Sequence, residues 1–372
     1  MTSPRIAIVG GIFDKSPEYT DRVRFTTETQ LIDGLRANGW DVHGIGHRVF
    51  DPTGRWDLVH VHHIGRAAVR MALASTDARF VYTSHDGALI GDYPVSWRRS
   101  LMSREIVGRA EAIVVLSDAE RRSNARRYGS VLPRQTVIPN GFPSGTYHYA
   151  PPRSAPAGDQ RPSILFVGQL IPLKGVDVLL RAFAQADLDA DLLLAYQIST
   201  LEADLRREVV SLGIADRVRF LGIQSSAELA DHYRTASALV SSSLADAFPS
   251  VVIEALMCGT PVIATDVGGV SDILAGRHRL LPAGDVDALA AALREQLANP
   301  ATSAEREATS AAAIERFRPE TMVSAHEALY RDVLAEPGRP RRNRRPSRVL
   351  YPGLSNVLDR VEPRMVGRGF LG

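Results

Sequence analysis

The sequence predicts an α/β protein built from two doubly wound parallel sheets in tandem. Three observations carry the prediction. Short apolar runs alternate with helical-period stretches through the first 150 residues. A segment crowded with breakers follows. The alternation then restarts and continues to residue 335.

In the first half, residues 6–10 (IAIVG) form a strand stopped by Gly10-Gly11. Residues 28–37 carry Leu31, Ile32 and Leu35 at helical spacing and end at Asn38-Gly39. Further buried strands are predicted over 57–62, 80–84, 112–117 and 136–139, with helices over 96–108 and 118–128. The linker is APPRSAPAGDQRP, taken as 151–162. In the second half, strands are predicted over 164–167, 191–196, 218–221, 238–242 and 262–265. Helices are predicted over 176–186, 201–212, 226–235, 250–258, 286–297 and 319–334. The expected division is 1–150 for the first domain and 163–318 for the second. A helix over 319–335 crosses back to the first domain, and 336–372 is a basic tail. Ligands of such sheets gather at the C-terminal ends of the strands, so a cleft between the two edges is the expected site.

Composition narrows the function. With 45% hydrophobic and 23% charged residues over 372, the chain is globular and large enough for two cores. The start, MTSPRIAIVGG, reads as a strand and not as a secretory signal, and no apolar run reaches membrane-spanning length. The single Cys258 excludes an internal disulfide and a cysteine-built zinc site, and a cytoplasmic location is expected. Net charge is +2. From 336 to the end, nine Arg against three acids give +6, leaving −4 on the rest, which argues against a nucleic-acid-binding body. The tail reads as mobile or draped on the surface, with contact to an anionic membrane surface as the second reading and nucleic acid as the third.

Three loops of the second half share one chemistry. Val167-Gly168-Gln169-Leu170-Ile171-Pro172-Leu173-Lys174-Gly175 joins a strand to a helix. Its glycines permit close backbone approach, and Lys174 is one of only two lysines in the chain. Next, Asp246-Ala247-Phe248-Pro249-Ser250 leads from a strand into a helix whose first amides, at Ser250 and Val251, suit phosphate oxygens. Glu254 lies one turn inside that otherwise apolar helix. A ribose diol is a fitting partner for it, and a structural pair with an arginine is the competing reading. Finally, Gly268-Gly269 follows a strand and opens either onto a ligand or into a plain turn.

These residues, with ALMCGTPVIATDVGG and VIPNG, resemble family 4 glycosyltransferases over roughly residues 5–335. The resemblance implies the GT-B fold of two Rossmann-like domains. It also implies a retaining, metal-independent transfer of a hexosyl or N-acetylhexosaminyl unit from a nucleoside diphosphate sugar, taken as UDP-linked, with no other cofactor. The acceptor is an alcohol of a natural product, a cell-envelope glycan or a lipid. By resemblance, Lys174 sits on the donor diphosphate, Glu254 on the ribose and Asp246 near the donor sugar. The backbone from Ala247 through Phe248 and Ser250 to Val251 holds sugar and phosphate. Gly222 and Ile223 read the base, and Gly168 and Gln169 lie by the phosphates. Gly10-Gly11 forms the first-domain phosphate loop, and His85 faces the transferred sugar and the acceptor. Lys174, Asp246 and His85 are the catalytic set.

The chain departs from the family pattern at Asp246, where glutamate is usual, at Ala247 for glycine, and at Gln169 for arginine. The rival readings are an epimerase or hydrolase on the same fold and a non-catalytic nucleotide-sugar-binding protein. A nicotinamide dehydrogenase lacks its fingerprint, because Gly10-Gly11 is followed by Ile12-Phe13-Asp14. Two features suggest a metal. His60 and His62 share one strand face, but no matching carboxylates accompany them. Asp187, Asp189 and Asp191 form overlapping D-x-D pairs. They fall at a helix-to-strand connection, a strand's length of about 20 Å from the phosphate edge. Acceptor contacts are expected in the loops 12–27 and 86–95.

Overall fold

The computed structural model describes residues 3–16, 26–85, 97–151, 161–274 and 278–337. The tail beyond 337, the loop 86–95, most of the linker and much of 12–27 lie outside the described residues. The chain forms two compact units. One runs to Gly141 and resumes at Arg318, and the other is Phe142–Phe317.

The first unit holds six parallel strands: β1 (Arg5–Val9), β2 (Asp41–Ile45), β3 (Leu58–His62), β4 (Arg79–Thr83), β5 (Ala112–Val115) and β6 (Arg134–Val137). Their order is β2-β1-β3-β4-β5-β6. The central strands are buried on both faces, as an apolar run without alternation requires. Helix α1 (Thr27–Ala37) starts at a capping box in which Thr26 accepts from Thr29 N–H. Helices α2 (Arg66–Leu73), α3 (Trp97–Arg109) and α4 (Asp118–Tyr128) follow. The sequence reading missed β2 and α2. The first is an edge strand with one buried valine, and the second is a helix of only eight residues, too short to show a sustained helical period.

The second unit repeats the plan. Its strands are β7 (Ser163–Val167), β8 (Asp191–Ala195), β9 (Val218–Gly222), β10 (Ala238–Ser241), β11 (Val262–Thr265) and β12 (Arg279–Leu281), in order β12-β11-β10-β7-β8-β9. Around them lie α5 (Val176–Ala186), α6 (Glu202–Ser211), α7 (Ser226–Thr235), α8 (Ser250–Met257), α9 (Val270–Ile273), α10 (Val286–Ala298) and α11 (Ser303–Arg316). The reading missed α11, although Thr302 and Glu305 form a full capping box at its start. Its Ala- and Ser-rich body hides the apolar face.

Helix α12 (Pro319–Ala335) belongs to the first unit. Met322, Val323, Leu329, Tyr330 and Val333 are buried in its core, each worth about 1.5–3 kcal/mol. Gly34 on α1 makes the approach possible, since a Cβ there would lie 2.4 Å from Val323 Cγ2. The boundary expected at residue 150 falls instead at Gly141. Arg234 holds the carbonyls of Thr146 and His148 at 2.7 and 2.9 Å, and Tyr149 N–H donates to Ser310, so 142–151 is tied to the second unit.

Chain order places the functional edges. From β1 the chain moves to β2 on one side, then returns as β3 on the other. From β7 it moves to β8 and β9, then returns as β10. Each reversal leaves a crevice at the strand C-termini, between β1 and β3 and between β7 and β10. Among the described residues, no helix is long and apolar enough to cross a membrane.

Candidate functional site

At the second-domain switch point, Gly168 and Gln169 leave β7 half-buried. A 3-10 turn, Pro172–Lys174, then meets Gly175, the cap of α5. Gly175 has φ +57°, and a Cβ there would lie 2.3 Å from the Ser242 carbonyl oxygen. Ser242 Oγ donates to Lys174 O at 2.9 Å, and Leu244 N–H to Leu173 O at 2.7 Å. These ties deliver Lys174 to the loop after β10. Its Nζ lies 2.6 Å from Asp246 Oδ2, with the two side chains 25% and 13% exposed. Two residues picked out independently from sequence therefore form one ion pair.

The loop after β11 closes on the same point. Gly268 has φ +52°, and a Cβ there would overlap the Asp246 carbonyl oxygen at 1.7 Å; Gly269 N–H donates to Ala247 O at 2.9 Å. The plain-turn reading of Gly268-Gly269 thus gains a specific cause, close packing against the acidic loop. Ala247 and Phe248 are buried, the latter edge-on to Phe317. Pro249 caps α8, no side chain caps its first turn, and Ser250 and Val251 are half-buried there. Gly222 and Ile223 end the edge strand β9, where Ile223 is 73% exposed, an unusual position for isoleucine.

Among the described residues Glu254 pairs with a tyrosine and with no arginine, contrary to the competing reading. The Tyr233 hydroxyl on α7 donates to its Oε2 at 2.9 Å. Burial pushes this carboxyl up to about 7, with Tyr233 pulling the other way. Tyr147 packs edge-on to Tyr233. Sequence reasoning missed Tyr233. The available signal was its place one turn after Leu229 and Ala230 on the buried face of α7, where a hydroxyl needs a partner.

At the first-domain switch point, Gly10 lies over Glu28, whose Oε1 would be 3.2 Å from a Cβ at Gly10; a Cβ at Gly11 would meet nothing within 4 Å among the described residues. Glu28 is buried in the first turn of α1, and its Oε1 is 3.4 Å from His63 Nε2. Burial opposes its charge, but the hydrogen bond from His63 leads the opposing effects, and the carboxyl lies well below its usual range. His85 Nε2 lies 2.9 Å from His62 Nδ1. His63, just after β3, and His85, two residues beyond β4, have φ +66° and +49°, a conformation side chains rarely adopt. Glu28 and His63 were not singled out from sequence. A buried acid in the first turn of a helix at a switch point was the signal.

His60 is committed elsewhere. Its Nδ1 meets Tyr330 Oη at 2.6 Å and its Nε2 meets Thr83 Oγ1 at 2.8 Å, leaving neither nitrogen for a metal. Among the described residues, no group of three or more His, Cys, Asp or Glu is arranged to hold one. The D-x-D acids lie at the N-terminal edge of the second sheet. Arg161 bonds Asp189 at 2.8 Å and Arg219 bonds Asp191 at 2.8 Å, while Arg217 approaches Asp187 at 3.8 Å.

These features agree with what the chain resembles. The family model described as glycosyl transferases group 1 matches residues 152–316, and that of the glycosyl transferase 4-like domain matches residues 44–141. A D-inositol 3-phosphate glycosyltransferase of Streptomyces bingchenggensis is 31% identical over 318 residues, 78% of this chain and 68% of its own. The chain belongs to the group 1 glycosyltransferases. The Acidothermus cellulolyticus relative of the same name is 29% identical, over 84% of this chain and 72% of its own. Among solved structures, sucrose-phosphate synthase from Thermosynechococcus elongatus superposes with a TM-score of 0.71 at 22% identity, covering 89% of this chain and 99% of that one. Anabaena HepE in complex with UDP-glucose gives 0.68 at 21%, covering 88% and 100%. The group 1 glycosyltransferase described here thus has the GT-B fold.

Proposed function

We propose that this glycosyltransferase moves a hexosyl or N-acetylhexosaminyl unit from a UDP-linked sugar to an acceptor hydroxyl, with retention of configuration and without a metal or other cofactor. The Lys174–Asp246 pair at the second switch point carries the reading. An ammonium has three donors, so Lys174 keeps Asp246 and turns another N–H to the diphosphate. The first amides of α8, at Ser250 and Val251, add partial positive charge to the same group. Asp246 uses its second oxygen for a sugar hydroxyl. Glu254, steadied by Tyr233 through one oxygen, takes the ribose diol with the other. Gly222 and Ile223 offer a backbone edge and an apolar face to the base.

In the transfer, the acceptor oxygen bonds to the anomeric carbon on the face from which UDP departs. The bond from that carbon to the β-phosphate oxygen breaks, and the acceptor proton passes to that oxygen. Lys174 and the helix amides stabilise charge as it grows on the leaving group, which lowers the barrier more than it tightens ground-state binding. The histidine corner of the first domain is assigned to the acceptor hydroxyl. HepE, solved with UDP-glucose, supports the choice of donor, and the relatives named for D-inositol 3-phosphate make that polyol the first acceptor to try.

The test supplies UDP-glucose or UDP-N-acetylglucosamine with D-inositol 3-phosphate and a polyol panel, in the presence of EDTA. The expected result is acceptor-dependent UDP release and a product with the donor's anomeric configuration by NMR. Binding without turnover, or turnover that EDTA abolishes and manganese restores, contradicts the reading.

A further inference from the structure

His62 is 1% exposed, and its two nitrogens have different fates. Nδ1 lies 2.9 Å from His85 Nε2. Nε2 is buried, with no hydrogen-bond partner among the described residues. The ring planes differ by 17° with centroids 5.1 Å apart, so ring edges rather than faces meet, as an N–H···N bond requires. Both imidazoles are neutral at pH 7, since burial pulls His62 down to about 3 and His85 well below its usual value. One neutral ring must therefore donate and the other accept.

The two arrangements differ in what they leave at His62 Nε2. If His85 donates, the only proton of His62 sits on Nε2, a buried N–H with no acceptor. If His62 donates from Nδ1, Nε2 carries only a lone pair. An orphaned buried donor is rarer and costlier than an orphaned acceptor. His60 cannot relieve the conflict, because Tyr330 and Thr83 occupy both of its nitrogens. Nor does His63 compete, because its Nε2 faces Glu28.

We infer that His62 is a positioning residue that donates Nδ1–H to His85 Nε2 and locks His85 as the Nδ1–H tautomer, so that His85 meets a substrate oxygen as a hydrogen-bond donor and not as a base. The kinetic side of this inference rests on the transfer reaction proposed above; the tautomer itself does not. The geometry fits a strained position two residues beyond β4, where His85 has φ +49° and its Nε2 meets His62. It also fits a reaction in which the acceptor proton goes to the leaving phosphate. His85 then orients an oxygen and takes no proton.

The experiment combines two readouts on the full chain. Long-range 15N–1H NMR of histidine-labelled protein reads the tautomers directly. The account predicts Nδ1–H on both His62 and His85, whereas Nε2–H on His85 overturns it. Slow hydrolysis of UDP-glucose, with water as acceptor, and UDP affinity supply the kinetics. His62→Leu should lower hydrolysis about 10–100-fold, the usual loss for an orienting partner, with UDP affinity unchanged. His62→Asn, whose amide N–H can stand where Nδ1–H stood, should return the rate to within about threefold of wild type. Equal rates in wild type and both variants, or equal losses in the two variants, contradict the positioning role. A wild type that neither binds nor hydrolyses UDP-glucose breaks the proposed function, while the NMR result still decides the tautomer.

Discussion

The two edges of the second sheet both hold acid–base pairs and handle them in opposite ways. At the N-terminal edge, Asp187, Asp189, Asp191 and Asp216 meet Arg161, Arg217 and Arg219 in a network whose members are mostly exposed. Such pairs are worth little each, and solvent screens them. At the C-terminal edge a single lysine meets a single aspartate, both largely buried, and glycine turns press backbone against them. Charge there is scarce and held in place, which is what stabilising a developing diphosphate charge demands. An acid-rich motif in sequence is thus less informative than where the fold puts it.

Substitutions at the two edges should differ sharply. Lys174→Ala removes leaving-group stabilisation and strands Asp246. The expected result is a fall of about 10²–10³-fold in kcat with a smaller rise in donor KM, measured by UDP release. Next in size is Gly268→Ala. A Cβ at that site overlaps the Asp246 carbonyl oxygen and faces a positive φ, so a loss of roughly 2 kcal/mol or more is expected by denaturant unfolding. Gly222→Ala also has a positive φ, +68°, but no neighbour within 4 Å, so only about 1 kcal/mol should be lost.

Glu254 adds a pH dependence with a definite sign. Its carboxyl is raised to about 7 by burial, against about 4.3 for an exposed glutamate. Between those values the folded state holds the extra proton, so ionising Glu254 costs stability as pH rises from about 4.3 to 7. Glu254→Gln should flatten that decline. Donor binding runs the other way, because a ribose diol needs the ionised carboxylate as acceptor. The donor KM of the wild type should therefore rise as pH drops from 7.5 to 6, and that of Glu254→Gln should stay level. The smallest effect belongs to the N-terminal edge. Asp189→Ala combined with Asp191→Ala should leave the transfer rate within about twofold, since both acids sit at the sheet edge opposite Lys174 and Asp246, about a strand's length away.

The contrast also marks what the sequence could show. Strands such as Leu58–His62 and Val262–Thr265 were legible because parallel strands buried on both faces read as continuous apolar runs. Asp41–Ile45 and Ser303–Arg316 were not, because an edge strand and an Ala-rich helix have weak patterns. At the site, Lys174, Asp246 and Glu254 stood out as charged residues in apolar or glycine-rich settings. Their partners did not. That Lys174 meets Asp246 depends on the strand order β10-β7, and that Glu254 meets Tyr233 depends on the packing of α8 beside α7. Glu28 and His63 are 35 residues apart and meet only because β1 and β3 are neighbours.

The claim that the C-terminal edge of the second sheet holds the donor is tested most directly by calorimetric titration of UDP-glucose into three proteins. These are the wild type, Glu254→Ala, and the Asp189→Ala/Asp191→Ala double variant, in EDTA at pH 7.5. The account predicts unchanged affinity in the double variant and a loss of about 1.5–3 kcal/mol in Glu254→Ala, the worth of hydrogen bonds to a charged group. Wild-type affinity in Glu254→Ala together with a loss in the double variant would contradict it.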